Sequence, residues 1–432
     1  MKKSLKKIWL YLGTLLKWIA FAAVTGVACG VIGSVFHIGV HHATELRMEH
    51  PWLLYCLPLA GLLIGVVYKG LKTTGYGTNT IIDEVHSGEG ISFWLLPTIF
   101  LTTMLTHLCG GSSGREGAAL QMGGTIGFHT GRLFRLDDRD ERIATMVGMA
   151  AFFTALFGTP MAATYFSMSV ISIGIIYHAA LIPCLVSSLV AYGVSLLMGV
   201  EPTRFVVEMP ELHTGMMIRV LGLSILCALV SVLFCKVMHF FEHFAQRVKN
   251  EWLRCASGGV CIIVLTLLCG TTDYNGAGME VVTAAVEQGQ AQPAAFLLKL
   301  LFTAISLSVG YKGGEVVPSF FVGATFGCVA GPLLGLPAEV SAAIGMVSVF
   351  CGVTNCPIAS IFLAVELFGD GGLMYFALAC AISYVLSGYN GLYSSQTIMY
   401  SKLKAQYINV RTNHHHAGDP HAEPPVHGNV KD

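Results

Sequence analysis

Apolar residues run along this chain in long blocks separated by short polar breaks, with no period-two alternation. The blocks fall near 9–40, 52–69, 92–110, 115–129, 143–158, 160–176, 178–199, 215–240, 256–270, 294–310, 318–335, 340–354, 357–368, 372–388 and 391–401. Between Arg142 and Glu201 there is no Asp, Glu, Lys or Arg, room for two or three helices at about 20 residues per crossing. Several other blocks hold only about 12 to 16 residues, too few to cross about 30 Å of hydrocarbon at 1.5 Å per residue. Short apolar segments interrupted by glycine or proline predict discontinuous helices that end at mid-membrane and line a cavity. The pattern therefore predicts an all-α polytopic membrane protein with broken and re-entrant helices.

The opening stretch MKKSLKKIWLYLGTLLKWIAFAAVTGVACG has the basic head of a signal peptide, but its apolar run continues past Cys29 toward Phe36 without a small-residue cleavage site. It reads as a retained first helix, and Lys2, Lys3, Lys6 and Lys7 assign the N-terminus to the cytoplasm. The expected organisation is a transmembrane transport domain over 1–405, with repeat halves near 50–200 and 215–400. A polar His- and Pro-rich tail over 406–432 is expected to be disordered and cytoplasmic. The three histidines at 414–416 read as solvated tail rather than a metal site.

Composition supports the membrane reading: 54% of residues are hydrophobic and 12% charged, against about 25% charged in soluble proteins. A formal net charge of +0 says little about steering by itself, and no nucleic-acid partner is expected. Thirteen cysteines scattered without ligand spacing read as small packing residues. No metal and no cofactor are expected.

The chain also echoes itself. Gly114, Gly123, Thr125, Gly127 and Gly131 each meet an identical residue 200 positions later, at Gly314, Gly323, Thr325, Gly327 and Gly331. GMAAFFTALFGTPMAA (148–163) is answered by GMVSVFCGVTNCPIAS (345–360), with the same twelve-residue step from Gly148 to Pro160 and from Gly345 to Pro357. Either the halves are a duplication, or both simply use glycine-spaced helix packing. A duplicated transporter places its substrate site where the halves meet, at broken helix ends.

The charges sit at those breaks. GGSSGREGAAL (110–120) carries Arg115 and Glu116 among glycines just before a helix. A helix N-terminus offers free N–H groups and a positive dipole end, which together suit an anion. Glu116 is itself an anion when deprotonated; when protonated or swung away it leaves the place to a mobile one. Adjacent residues on a helix do not face each other, so a direct Arg115–Glu116 pair is poorly placed. Intramembrane carboxylates are expensive and usually functional. GYKGGEVVPSFFVGATFG (310–327) is the second break, where Lys312 and Glu315 precede Pro318. Glu315 occupies the repeat position of Arg115. In GYGTNTIIDEV (75–85), Thr78 and Asn79 begin a helix that either exposes N–H groups to an anion or is ordinarily capped. Glu366 reads as a satisfied structural carboxylate, and Tyr393 as either an interfacial tyrosine or a phenol donor to an anion.

GREG at 114–117, the Gly-rich turn before it, the paired glycines at a helix start with a nearby proline, and the late tyrosine resemble the CLC family of anion channels and anion/proton antiporters. The resemblance covers about residues 10–405. It implies an inverted-topology repeat, a homodimer with one anion pathway per subunit, and a gating glutamate at Glu116. Chloride-handling members carry a serine in the first motif; here Gly75, Tyr76, Gly77, Thr78 and Asn79 hold none, and Gly314 is followed by Glu315 and Val316. These departures resemble the fluoride/proton antiporter branch, which exports fluoride from bacteria. By position, Glu116 is then the proton and anion gate, Glu315 the second carboxylate and Tyr393 the central phenol, with Tyr76 beside the missing serine. The anion site implied by the resemblance takes in Gly114, Arg115, Gly117, Tyr76, Gly77, Val316, Val317 and Tyr393. Val317 is apolar, leaving coordination to backbone and Tyr393, and TPMAATYFSMSVIS (159–172) lacks the inward acidic residue of chloride/proton exchangers. The partners implied are fluoride, with chloride as the alternative anion, protons and membrane lipid, in the bacterial inner membrane. Rival readings are a chloride/proton antiporter or passive chloride channel. An intramembrane enzyme using His107 and Glu116 lacks zinc spacing, paired aspartates or a serine dyad, so no enzymatic activity is expected.

Overall fold

The computed structural model describes residues 2–88, 90–404 and 406–413; the triple histidine and the rest of the tail lie outside the described residues. The first eight helices are α1 (Lys2–Glu49), α2 (Leu57–Gly70), α3 (Thr78–Ser87), α4 (Leu95–Leu108), α5 (Glu116–Leu133), α6 (Asp138–Phe157), α7 (Pro160–Ser169) and α8 (Leu181–Leu197). Eight more follow: α9 (Thr214–Ala245), α10 (Glu251–Cys269), α11 (Met279–Glu287), α12 (Ala295–Val309), α13 (Val316–Leu333), α14 (Ala338–Thr354), α15 (Pro357–Phe368) and α16 (Leu373–Leu386). Helices α4, α5 and α6 start 200 residues before α12, α13 and α14. Among the described residues six helices are long and apolar enough to cross a membrane, and α4, α12, α14, α15 and α16 are shorter apolar helices.

The repeated residues have physical jobs. Gly158 (φ 69°) and Asn355 (φ 60°) end α6 and α14 in the left-handed region, and Pro160 and Pro357 then open α7 and α15, where a missing N–H costs nothing. Gly123 of α5 lies on Gly148 of α6, and Gly323 of α13 lies on Gly345 of α14. Added Cβ atoms at Gly123 and Gly323 would stand 2.7 Å from the Phe152 Cβ and 2.8 Å from the Met346 Cα. Glycine-spaced packing is therefore real, and it recurs at matching places in the two helix pairs.

Glu366 of α15 sits where its structural reading put it. Its carboxylate accepts from Met161 N–H and Ala162 N–H, both at 2.9 Å, and so caps α7 from another helix. Two charge-assisted bonds of about 1.5–3 kcal/mol each make Glu366→Ala an expected loss of several degrees in melting temperature of the purified protein, with Glu366→Gln losing less. An unchanged melting curve for the alanine variant would remove this role.

Two expectations need correction. Block 391–401 forms no helix: it crosses as a loop into β2 (Thr397–Tyr400), which lies between β1 (Ser172–Ile173, parallel) and β3 (Tyr407–Arg411, antiparallel). β3 also falls inside the stretch assigned to a disordered tail. Half-buried Ile408 and Val410 alternate there with exposed Tyr407, Asn409 and Arg411, a period-two pattern that a partner strand can hold. The thirteen cysteines are all free and mostly buried.

Candidate functional site

Two loops meet where α4 and α12 stop. Gly110 (φ 83°) and Gly310 (φ 118°) turn the chain out of these helices in the left-handed region, which only glycine enters cheaply. The strands that follow cross. Gly114 N–H donates to Gly314 O at 2.7 Å, and Gly314 N–H donates back to Gly114 O at 2.9 Å. Residues 200 positions apart thus bond reciprocally, as a local two-fold axis requires. Side chains pair the remaining backbone at membrane depth: Ser112 N–H donates to Ser306 Oγ at 3.0 Å, and Lys312 N–H to Thr106 Oγ1 at 3.1 Å.

Helices α5 and α13 begin at this crossing. Glu116, the first residue of α5, is fully buried. Its Oε2 accepts from Val317 N–H at 3.2 Å, and the amides of Arg115 and Glu116 itself also reach the carboxylate. The carboxylate therefore occupies the place where two helix N-termini point, which is where a free anion would bind. Its Oε1 has no protein partner. Val316 and Val317 are buried, Val317 contributing its amide. Gly117 lets the loops approach: a Cβ there would stand 2.6 Å from Gly313 O.

Two cavities approach Glu116 from different directions, and it lines neither. One, about 360 Å³, is walled by Tyr76 and Gly77 before α3, Gln121 of α5, His239 and Glu242 of α9, Glu315 and Tyr393. The other, about 310 Å³, is walled by Arg115, His107, His37, Arg47 and Glu280. The Arg115 guanidinium therefore lines a cavity that the Glu116 carboxylate does not reach. Among the described residues no ion pair joins them, and the Arg115 guanidinium lies 5.9 Å from the centre of the Phe157 ring.

Glu315 and Tyr393 share the first cavity. The Tyr393 side chain is buried and its hydroxyl has no protein partner, while Glu315 Oε2 is shut off from solvent and also unpaired. Both groups lie within the field of Glu116. Tyr393 is held from behind: Thr412 Oγ1 donates to its carbonyl at 2.6 Å, and Ser395 N–H donates to Asn79 Oδ1 at 3.2 Å, tying this loop to α3. At the start of α3, Gly77 N–H donates to Thr80 Oγ1 at 3.1 Å. That bond takes the Gly77 N–H into the capping of α3.

Several residues here escaped the sequence reading. Gln121 donates to Thr78 Oγ1 at 3.2 Å and to Gly117 O at 3.1 Å, leaving its Oε1 unpaired; its signal was a lone amide one turn beyond Gly117. Lys299, fully buried in α12, donates to Gly276 O at 2.6 Å and Tyr274 O at 3.2 Å. Ser113 N–H donates to the same Gly276 carbonyl at 3.2 Å, so the lysine anchors the loop carrying Arg115 and Glu116. A single lysine inside an apolar helix was the available signal. His107 lies 3.3 Å from Gly114 O through Nε2, and no cluster of three metal-ligating side chains occurs among the described residues.

The chain is similar to known proteins along most of its length. The family described as voltage gated chloride channel matches residues 60–388. A chloride/fluoride channel protein of Pseudomonas syringae pv. tomato is 37% identical over 396 residues, covering 89% of this chain and 87% of its own. A proton/chloride exchange transporter of Vibrio vulnificus is 26% identical over 427 residues, with coverages of 89% and 91%. The crystal structure of a CLC-type fluoride/proton antiporter superposes with a TM-score of 0.86 at 31% identity, over 89% of this chain and 98% of that one.

Proposed function

The chain belongs to the voltage gated chloride channel (CLC) family, and from that premise we propose that it is a fluoride/proton antiporter that exports fluoride from the bacterial cytoplasm. One observation carries the reading. Three polar atoms, Glu116 Oε1, Glu315 Oε2 and the Tyr393 hydroxyl, are buried without protein partners around the crossing of two helix N-termini. Buried polar groups are ordinarily paired, and a transported anion and proton would satisfy these three. Fluoride gives up its tight hydration only to good donors. A phenol, helix amides and a protonated carboxylic acid are such donors.

In the proposed cycle, fluoride enters the cavity walled by Tyr76, Gly77, Glu315 and Tyr393 and displaces the Glu116 carboxylate from the amides of Arg115, Glu116 and Val317. Gly114, Gly117 and Val316 keep those amides exposed at the crossing. Displaced Glu116 takes a proton from the cavity of Arg115 and His107; as the anion leaves it returns, gives that proton to Glu315 and reoccupies the amides as a carboxylate. HF crosses membranes as a weak acid and releases fluoride inside, so inward proton flow is the force that clears it. Arg115 sets the field on the far side and does not pair with the gate. Lys2, Lys3, Lys6 and Lys7 stand at the start of α1, whereas Thr44, Arg47 and Met48 at its far end line the Arg115 cavity, which therefore opens on the side opposite the N-terminus. By the positive-inside rule the Tyr393 cavity faces the cytoplasm, as do both termini in an inner-membrane protein. The assembly is a homodimer with one pathway per subunit. Transport requires no cofactor.

The test is fluoride efflux from proteoliposomes, with chloride in parallel and a pH electrode following protons. Fluoride efflux with uphill proton uptake is expected; chloride flux of similar size would replace this reading with the chloride one. Tyr393→Phe is expected to weaken fluoride binding by about ten- to a hundredfold, since a hydrogen bond to a charged group contributes about 1.5–3 kcal/mol. Its melting temperature should hardly move, because that hydroxyl has no protein partner to lose. Unchanged affinity by titration calorimetry would reduce Tyr393 to a wall of the cavity.

A further inference from the structure

A proton delivered to Glu116 must still reach the cytoplasm, and residues 159–172 offer no acid for it. Among the described residues lining the Tyr393 cavity, Glu242 and Glu315 are the only carboxylates, and His239 is the only imidazole. His239 and Glu242 lie one turn apart on α9, with Nδ1 of the ring 3.4 Å from Glu242 Oε2. Their side chains are 29% and 57% exposed, while Glu315 Oε2 is shut off from solvent. The three groups thus step from a closed site to open water.

The surroundings of His239 suit both protonation states. Its Nε2 lies 3.0 Å from Gly391 O and 2.8 Å from Asn413 Nδ2. Asn413 is held in that orientation because its Oδ1 accepts from Gly391 N–H at 3.1 Å and its Nδ2 donates to Gly391 O at 2.9 Å. A neutral ring with its proton on Nδ1 donates toward Glu242 and accepts from the Asn413 amide. A protonated ring donates to Glu242 and to the Gly391 carbonyl. Each state finds partners with no rebuilding, which is what a proton carrier needs. The other ionisable groups on this wall are Tyr76, Arg254 of α10, Tyr311, Lys312 and Tyr393. Lys312 rests 4.3 Å from the centre of the Tyr68 ring.

We infer that His239 and Glu242 form the cytoplasmic proton exit of the transporter, receiving the proton of Glu315 across the water-accessible cavity and releasing it from Glu242 to bulk. In the step, Glu315 O–H gives its proton, through water or directly, to ring Nε2, and the imidazolium gives its Nδ1 proton to the Glu242 carboxylate. Glu242 releases it to bulk water, and the remaining Nε2–H tautomer returns to the Nδ1–H form by proton exchange with water. This rests on the antiporter reading above.

The experiment uses the full chain in proteoliposomes, as wild type, H239Q, E242Q and the double variant. Two fluxes are compared: net fluoride/proton exchange, and equilibrium exchange of radiolabelled fluoride, in which no net proton crosses. The double variant is expected to lose at least fivefold in net exchange and its dependence on internal pH, with tracer exchange within twofold of wild type. Imidazole inside vesicles carrying H239A should restore net exchange. Wild-type net exchange and pH dependence in the double variant would overturn the assignment. So would equal loss of both fluxes with no rescue by imidazole, the result of mere structural damage. Failure of the antiporter reading is separate: there the wild type itself moves no protons with fluoride.

Discussion

Glu116→Gln is expected to abolish proton movement while leaving the protein folded. The amide keeps the volume of the acid but carries no exchangeable carboxyl proton and no charge with which to compete for the helix N-termini. Glu116 Oε2 now accepts from Val317 N–H at 3.2 Å; the glutamine carbonyl oxygen can still take that bond, so the crossing stays intact. Proton flux should fall at least 100-fold, about 2.7 kcal/mol or more of lost barrier reduction, and Glu116→Ala should do the same with a permanently vacated gate. The check is a pH-electrode recording under an imposed fluoride gradient, with size-exclusion profiles to show that the variant is folded. Preserved coupling in either variant would sink the exchange mechanism.

Gly314→Ala should be nearly as damaging although it removes no chemical group. The new Cβ would stand 2.8 Å from Glu116 Oε2 and 2.9 Å from Glu116 N. The Glu116 carboxylate can swing aside, but the backbone amide nitrogens of Glu116 and Gly117, the latter nearer still, cannot retreat cheaply, because Gly314 is bound in both directions to Gly114. Overpacking of this kind costs about 1–3 kcal/mol in stability, and a 1 Å displacement of a reacting group costs about 100-fold in rate. Fluoride flux should therefore fall by about that factor, with a lower melting temperature. Gly13→Ala, in α1 with nothing within 4 Å of its added Cβ, is the matched control and should transport normally. If Gly314→Ala matched that control, the close crossing would have no part in transport.

Some of this was legible locally. Apolar runs longer than a bilayer crossing fix the solvent, and runs shorter than one announce broken helices. GREG, the Gly148-to-Pro160 step and its echo at Gly345 each mark a helix end whose cause is a single residue's backbone preference, and the structure has Gly158, Pro160, Asn355 and Pro357 at those ends. The block at 391–401 misled because apolarity alone does not separate a helix from a loop entering a buried strand. The strand at Tyr407–Arg411 was hidden because its partner, Thr397–Tyr400, was itself read as helical.

The sequence by itself determined the membrane setting, the places where helices break, the 200-residue register of the echo and Glu116 as the charge needing explanation, because hydropathy and turn chemistry are properties of neighbours in the chain. Only the tertiary structure decided that Gly114 bonds to Gly314, that Arg115 lines a cavity while Glu116 is shut into the crossing, and that His239, Glu315 and Tyr393 share another. Those facts depend on which helix end lies opposite which, and that is set by packing between segments up to 200 residues apart, where no local preference reaches.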